Sequence, residues 1–245
     1  MNWLFSHQGG IELYNQFIRN SGEEELDKIG EKWEDYIGFY SLRNHGLVNN
    51  VPKTEILYIH SKLMIVDDTK VLIGSANIND RSLIGKRDSE FAVLIKEQRF
   101  LIDKSTQNHF IMDGKPYKGA HFATSFRKSL MAEHLGLNKD DPILIDPVDN
   151  KLFSLINSRA QNNTKLYRDI FNCYPDDTFT NFKLMKEAKR NQESENPEIL
   201  LQNYLKLKDK IIGHIVEFPL HFLEEETLGK IFFTKENIVP ENNFT

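Results

Sequence analysis

The sequence predicts an α/β fold in which helices flank a mixed sheet and a mostly helical C-terminal extension follows. Short runs of β-branched and apolar residues recur between residues 37 and 97, as expected for strands. Before them, apolar residues fall on one face of a predicted helix over residues 10–20. Beyond about residue 100, apolar residues return at helical spacing, which predicts the extension.

The individual elements follow from local patterns. A second N-terminal helix is predicted after Ser21, a candidate N-cap that precedes several acidic residues. The predicted strands cover residues 37–43, 55–67, 69–77, 89–97 and, near the end of the chain, 211–223. The predicted helices of the extension cover residues 119–137, 146–163, 164–174, 179–192 and 196–211. The polar stretch 188–198 is the best loop candidate.

Composition limits the classes of protein that fit the chain. Its 245 residues are 40% hydrophobic and 27% charged, as in an ordinary globular protein with a sizeable core. The formal net charge of −5 argues against nucleic-acid binding by bulk electrostatics. The single cysteine, Cys173, indicates a reducing compartment such as the cytoplasm. No apolar run approaches the roughly 20 residues that span a bilayer, so we expect any membrane contact at its surface.

The stretch Tyr58–Ser82 places polar residues at fixed offsets within strand-like sequence. Side chains alternate faces along a strand, so His60 and Lys62 are predicted to share one face, roughly 6–7 Å apart. Ser75 and Asn77 share a face of the next predicted strand by the same reasoning. Pairing of the two strands brings all four side chains onto one patch.

This patch has the chemistry of a site for a tetrahedral phosphoryl group. Lys62 supplies positive charge, and Ser75 and Asn77 supply hydrogen-bond donors to phosphoryl oxygens. His60 can act as nucleophile or as general acid near neutral pH.

A catalytic histidine needs an acceptor that orients its other ring nitrogen, and two carboxylates are candidates. Glu90 begins the predicted strand 89–97, and we assign it to orienting His60. Asp67 lies at an odd offset from His60 and is expected to face away, so we assign it a supporting role. No clustered His, Cys and Asp set indicates a metal, and we expect no cofactor.

These residues resemble a known signature. The pattern reads His60-x-Lys62-x4-Asp67-x6-Gly74-Ser75-x-Asn77, which resembles the HKD motif of the phospholipase D superfamily. The longer run "IHSKLMIVDDTKVLIGSANINDRSLIGKRDSE" is similar to the second HKD motif of eukaryotic phosphatidylcholine-hydrolysing phospholipase D. The segments "DPVDNKLFSLINSRAQNNTKLYRDIF" and "IVEFPLHFLEEETL" resemble the C-terminal region of that family.

The resemblance implies hydrolysis of phosphatidylcholine to phosphatidic acid and choline, with alcohol exchange, through a phosphohistidine. It makes His60 the acid/base partner of a nucleophilic histidine in the first motif, with Lys62, Ser75 and Asn77 binding phosphoryl oxygens and Glu90 orienting His60. Motif support is expected from Gly74, and from Asp80 and Arg81, which we expect mainly to hold loops by ion pairs. The implied enzyme is cytoplasmic, associates peripherally with membranes and has a phospholipid substrate, with no nucleic-acid partner.

The family builds its site from two HKD halves, whereas none of the other histidines here has a lysine two residues later. The resemblance therefore divides the chain into an HKD half domain over residues 1–110, incomplete at its N-terminus, and a helical region over 111–245 that packs on it. The second half is expected on a missing segment or on a partner chain. Two alternatives stay open: a nuclease of the superfamily acting as a homodimer, and a truncated chain that binds lipid or a partner without turnover.

Overall fold

The computed structural model describes residues 2–5, 37–96, 110–193 and 196–226. The strands of this part are β1 (Asn2–Phe5), β2 (Ile37–Val48), β3 (Val51–Ile56), β4 (Lys62–Val66), β5 (Lys70–Gly74), β6 (Ala92–Lys96), β7 (Phe110–Met112), β8 (Lys115–Tyr117) and β9 (Ile215–Glu217). Its helices are α1 (Asp80–Leu83), α2 (His121–Leu135), α3 (Asn150–Phe171), α4 (Phe182–Glu193) and α5 (Pro197–Leu207). Single 3₁₀ turns cover Pro142–Leu144 and Lys208–Lys210.

The first sheet is organised around the long strand β2. Strand β1 pairs with β2 in parallel, and β3 pairs with its second half in antiparallel fashion. The β2–β3 turn uses Asn49 and Asn50, both with positive φ, as tight hairpin turns require. Strand β9 pairs with β2 at Tyr40–Leu42, so the extension contributes a strand to this sheet.

The second sheet is the antiparallel meander β4–β5–β6. The β4–β5 turn begins with Asp67 and Asp68, which both adopt positive φ, a conformation that aspartate tolerates better than most residues. The carbonyl of Asp67 accepts a hydrogen bond from the Tyr117 hydroxyl at 2.7 Å, and the carbonyl of Asp68 accepts one from the Ala120 N–H at 2.7 Å. The turn is therefore attached to the segment that leads into α2.

The helices begin and end at identifiable signals. Helix α2 ends before Gly136, whose φ of 62° is the left-handed conformation that closes many helices. Helix α3 begins after Asp149, whose side chain accepts a hydrogen bond from the Lys151 N–H at 2.7 Å. It ends before Asn172, at φ 44°.

Helices α2 and α3 cover both sheets with apolar side chains. The largest buried cluster joins β2 and β9 to these helices: Tyr40, Leu42, Met131, Ala132, Leu135, Leu144, Leu152, Ile156, Ala160 and Ile215. A second cluster joins α3, α5 and β9: Tyr167, Ile170, Phe171, Tyr204 and Val216. A smaller cluster of Val71, Ala120 and Ala123 attaches the second sheet to the start of α2.

A buried ion pair reinforces that attachment. Arg127 of α2 donates from Nε and Nη2 to the two carboxylate oxygens of Asp68, each at 2.7 Å. The two side chains are only 8% and 5% exposed. Arg127 also donates to the carbonyls of Leu144 at 2.8 Å and Ile145 at 3.4 Å, so its remaining N–H groups have partners in the protein. The pair ties the β4–β5 turn to α2 and to the 3₁₀ turn.

The predicted α/β class, with a mixed sheet flanked by helices, is confirmed, and several boundaries differ. The single strand predicted over 55–67 is wrong, because the chain leaves the first sheet after Ile56 and enters the second at Lys62. The loop predicted over 188–198 is wrong for residues 188–193, which belong to α4, and for residues 197–198, which begin α5. Of the strand predicted over 211–223, only Ile215–Glu217 forms. The predicted N-terminal helices lie outside the described residues.

The structure has one continuous helix, α3, where the sequence predicted two helices over residues 146–163 and 164–174. This helix ends at Phe171. The proposed division at residue 110 stays a prediction. None of the helices in the described ranges has both the length and the apolar composition that crossing a bilayer requires.

Candidate active site

His60 lies in the short segment that connects the two sheets. Residues 57–61 are not part of a strand, and His60 is exposed immediately before β4. Its ring lies 5.8 Å from the ring of Tyr58, centroid to centroid, at an interplanar angle of 30°. The prediction that His60 and Lys62 share one face of a strand is therefore wrong, since β4 begins only at Lys62.

Lys62 begins β4 and turns its ammonium group back toward that segment. Its Nζ donates a hydrogen bond to the carbonyl of His60 at 2.6 Å. An ammonium group has three N–H donors, so two remain for a ligand. The contact holds the lysine charge next to the backbone of the histidine.

The β4–β5 register brings the two ends of the motif together. Lys62 pairs with Gly74 across the hairpin, and Gly74 pairs in turn with Ala92 of β6. A Cβ on Gly74 would lie 2.8 Å from the Ala92 Cβ and 2.8 Å from the carbonyl oxygen of Phe91. Only glycine fits this close approach, which sets the distance between β5 and β6 at the site.

Ser75 follows β5 and is bound to the start of β6. Its hydroxyl donates a short hydrogen bond to Oε2 of Glu90 and accepts one from the Phe91 N–H at 3.0 Å. Its own N–H donates to the Phe91 carbonyl at 2.9 Å. The hydrogen bond from Ser75 lowers the pKa of the Glu90 carboxyl, and the charge of Lys62 acts in the same direction. Glu90 is thus held as a carboxylate beside the lysine.

The loop after Ser75 is shaped by the short helix α1. The Asn77 N–H donates to the Ser82 hydroxyl at 3.2 Å. The side chain of Asn79 caps α1 by accepting a hydrogen bond from the Ser82 N–H at 3.0 Å. Ser75 and Asn77 were predicted within a strand, which is wrong because β5 ends at Gly74.

Asp80 and Arg81 belong to α1, and the support of the motif predicted for Asp80 stays a prediction. Arg81 Nε donates to Asp88 at 2.5 Å, which connects the helix to the segment before β6. The side chains of Arg81 and Asp88 are partly exposed, at 52% and 27% respectively. The expected role of Arg81 in holding a loop by an ion pair agrees with this contact.

An open groove of ≈ 760 Å³ lies where these segments meet. The predicted site residues that line it are His60, Lys62, Gly74, Ser75, Asn77 and Glu90. Arg87 and Asp88 also border it, so both signs of charge are present. Asp67, Asp80 and Arg81 do not line this groove.

A second cavity, of ≈ 430 Å³, adjoins His60 on another side. Its walls come mainly from residues 57–61, β4 and α2, and they combine apolar side chains such as Leu63, Leu130 and Met131 with the polar side chains of Asp67, Asp68, Arg127 and His134. His60 lines both this cavity and the polar groove. A polar groove and a partly apolar cavity therefore share one histidine.

Comparison with known proteins identifies the family. The family model described as "Phospholipase D" matches residues 29–177, which include the whole groove. The chain belongs to the phospholipase D family. The resemblance that the HKD pattern predicts is thereby confirmed.

Curated relatives agree with this membership. Phospholipase D1 of Homo sapiens is 40% identical over 223 residues, which cover 89% of this chain and 20% of the relative. Phospholipase D zeta 1 of Arabidopsis thaliana is 39% identical over 231 residues, covering 85% of this chain and 20% of the relative. "Phospholipase D" of Phytophthora infestans is 37% identical over 199 residues, covering 80% of this chain and 10% of the relative. The chain spans about a fifth or less of the length of these phospholipases D.

The phospholipase D groove can bind a phosphoryl group through a cation and polar donors, with an imidazole at its edge. One feature differs from the predicted roles. The single hydroxyl proton of Ser75 is directed to Glu90, so in this conformation Ser75 orients the carboxylate and is not aimed at a ligand. Within the described ranges, no three His, Cys, Asp or Glu side chains come close enough to hold a metal ion.

The remaining motif aspartate and a buried pair act away from the groove. Asp67 lies in the hairpin turn at the opposite end of β4 from His60 and lines the second cavity, and the supporting role assigned to it stays a prediction. The Asp68–Arg127 pair was missed, because the two residues are far apart in sequence and no local pattern indicates that they meet. The Asn79 cap was also missed, although Asn followed directly by an acidic residue is a recognisable helix start.

Proposed function

We propose that this chain supplies one HKD half of a phospholipase D active site, which converts phosphatidylcholine to phosphatidic acid and choline and exchanges choline for other alcohols. The observation that carries the proposal is the groove that gathers His60, Lys62, Asn77 and Glu90. Family membership supplies the reaction class. The other half is proposed to come from elsewhere in a longer protein or from a second chain.

In the first proposed step, an imidazole nitrogen of the other half bonds to phosphorus while the bond from phosphorus to the choline oxygen breaks. His60, as imidazolium, gives its proton to that oxygen. In the second step, water or an alcohol gives a proton to His60 and bonds to phosphorus, and the phosphorus–nitrogen bond breaks. Both histidines then return to their starting protonation states.

The groups around His60 are suited to these steps. The two free N–H donors of Lys62 stabilise the negative oxygens of the phosphoryl group as charge develops. The side-chain amide of Asn77 can donate to the same oxygens. Glu90, held as a carboxylate by Ser75, supplies a hydrogen-bond acceptor in the same groove.

A lipid substrate is favoured over a nucleic acid by the apolar part of the cavity beside His60, which Leu63, Leu130 and Met131 form. A phosphodiester with apolar chains has parts that suit both the polar groove and this cavity, whereas a nucleic acid has no such chain. The net charge of −5 also fits poorly with binding of a polyanion. We place the enzyme at the surface of a membrane that faces the cytoplasm.

The test is alcohol exchange in an assembly that contains this chain. The chain is mixed with an N-terminal half that carries its own HKD motif, and transfer of the phosphatidyl group to a primary alcohol is measured. His60→Ala and Lys62→Ala should each abolish exchange. The matched control is His221→Ala, because His221 is an exposed histidine that pairs with Glu224 and does not line the groove.

Retained exchange in His60→Ala would refute the mechanism. Cleavage of DNA in place of choline lipid by the same mixtures would favour the nuclease alternative. Well-folded mixtures without either activity would favour a chain that binds without turnover.

A further inference from the structure

Helix α4 carries a strongly basic outward face in an acidic chain. Its basic residues are Lys183, Lys186, Lys189 and Arg190, whereas the formal net charge of the chain is −5. At about 100° per residue, these four side chains fall within about 120° of the helix surface. We call these four residues the α4 basic face.

The opposite side of α4 is only partly covered by the protein, since Leu184 on that side is 39% exposed. Met185 and Ala188 are half-buried, while all four residues of the α4 basic face are exposed. Within the part of the chain that the structure describes, no ion pair engages these four cations. Their charge is thus available to a partner.

The start of α4 is fixed to the body of the protein. The Phe182 N–H donates to the Glu226 carboxylate at 2.6 Å, and the Asn181 amide donates to the Glu225 carboxylate at 2.7 Å. The Asn181 side-chain oxygen accepts a hydrogen bond from the Leu184 N–H at 3.0 Å. The direction of the α4 basic face is therefore set before any partner binds, which lowers the entropic cost of binding.

The Phe182 side chain lies beside the basic residues at the beginning of the helix. It is 39% exposed. By helical spacing it lies on the same side as Lys186 and Lys189. Cations around an exposed aromatic ring are the combination that binds the interface of an anionic bilayer, where the ring enters the headgroup layer.

We propose that the α4 basic face docks the protein on an anionic bilayer. The partner is identified by charge complementarity to four cations on one rigid face, and by the exposed ring among them. The inference extends the proposed function, on which it rests for the choice of a lipid surface over an acidic protein. The phosphatidic acid formed in the proposed reaction is itself an anionic lipid, so turnover would strengthen docking.

The experiment measures sedimentation of the 245-residue chain with vesicles. Vesicles of pure phosphatidylcholine are compared with vesicles that also contain phosphatidic acid, at low and at high salt. The test variant changes the four residues of the α4 basic face to glutamine. The matched control changes four exposed lysines elsewhere to glutamine, with the same loss of charge: Lys53, Lys115, Lys139 and Lys151.

The unaltered chain should bind the anionic vesicles, and high salt should weaken this binding. The α4 variant should bind more weakly by up to roughly a thousandfold, because each of the four basic residues near an anionic surface contributes to the affinity. The control variant should bind like the unaltered chain, and all variants should unfold at similar temperatures. Equal binding by the α4 variant and the control would overturn the proposal.

An unaltered chain that prefers neither kind of vesicle would also overturn it, and would leave an acidic protein as the partner to seek. Failure of docking and failure of the proposed function are separable. The α4 variant should retain alcohol exchange on a soluble short-chain phosphatidylcholine in the assembly described above, because α4 does not line the groove. Loss of exchange in every assembly would count against the proposed function, and vesicle binding would remain measurable.

Discussion

Replacing Arg127 by methionine should destabilise the chain by about 3–5 kcal/mol, because the carboxylate of Asp68 would remain buried without its partner. Both side chains are less than one-tenth exposed, and two hydrogen bonds of 2.7 Å join them. The carbonyl of Leu144 would lose a donor as well. Since native domains are stable by about 5–15 kcal/mol in total, this loss should be large and easily measured.

The assay is a double-mutant cycle with Asp68→Asn, followed by urea unfolding with circular dichroism. Asparagine is chosen because Asp68 has a φ of 48°, which asparagine tolerates and bulkier residues do not. Each single variant should be strongly destabilised, since each leaves one buried charge unpaired. The double variant should lose clearly less than the sum of the two, because it leaves no buried charge.

A surface ion pair provides the control. Lys165 and Asp169 lie on α3 with side chains 69% and 40% exposed. Lys165→Met should cost about 0–1 kcal/mol, the usual range for exposed pairs. If Arg127→Met cost no more than this control, the reasoning from burial would be refuted.

Three further predictions concern the site and its surroundings. Gly74→Ala should lower the free energy of unfolding by about 1–3 kcal/mol and reduce alcohol exchange, because the new methyl group would displace Ala92 and with it the start of β6. An unchanged urea unfolding curve would contradict this prediction. Ser75→Ala should raise the pKa of the Glu90 carboxyl toward its ordinary value by removing the hydrogen bond that lowers it, and an NMR titration of Glu90 would show whether it moves. Glu217 is exposed overall, but partial desolvation and the charge of Asp177 raise the pKa of its carboxyl, so folding opposes its charge once the pH exceeds the ordinary carboxyl range. Glu217→Gln should therefore raise the unfolding temperature at neutral pH. It should not do so at an acidic pH where the carboxyl is protonated in both the folded and the unfolded chain. An equal rise at both pH values would count against this reasoning.

Local sequence patterns predicted the parts of the fold that depend on local physics. Strands β4, β5 and β6 alternate or concentrate apolar residues, and α2 has a one-sided apolar pattern ended by glycine. The break at residues 57–61 was not predictable in this way. The run over 55–67 is uniformly strand-like, and it is divided because β3 pairs with β2 whereas β4 pairs with β5. That choice depends on partners distant in sequence.

The sequence predicted which residues form the candidate site more accurately than it predicted their arrangement. Spacing identified the motif residues that line the groove, because the β4–β5 hairpin brings the two ends of the motif together as expected. The sequence pattern predicted that His60, Ser75 and Asn77 lie on regular strands. In the structure these residues lie in the segments that flank the strands. The hydroxyl of Ser75 also has a single proton to give, and its direction toward Glu90 depends on the position of β6.

The pairing of β9 with the middle of β2 has a consequence for biosynthesis. Residues Tyr40–Leu42 emerge from the ribosome long before Ile215–Glu217, and until then one edge of this part of β2 lacks its partner. Such an exposed strand edge is open to pairing with other chains. We therefore expect nascent chains that stop before β9 to aggregate or to recruit chaperones, and the first sheet to become complete only late in synthesis. The extension thus determines when, and not only whether, the HKD half reaches its final form.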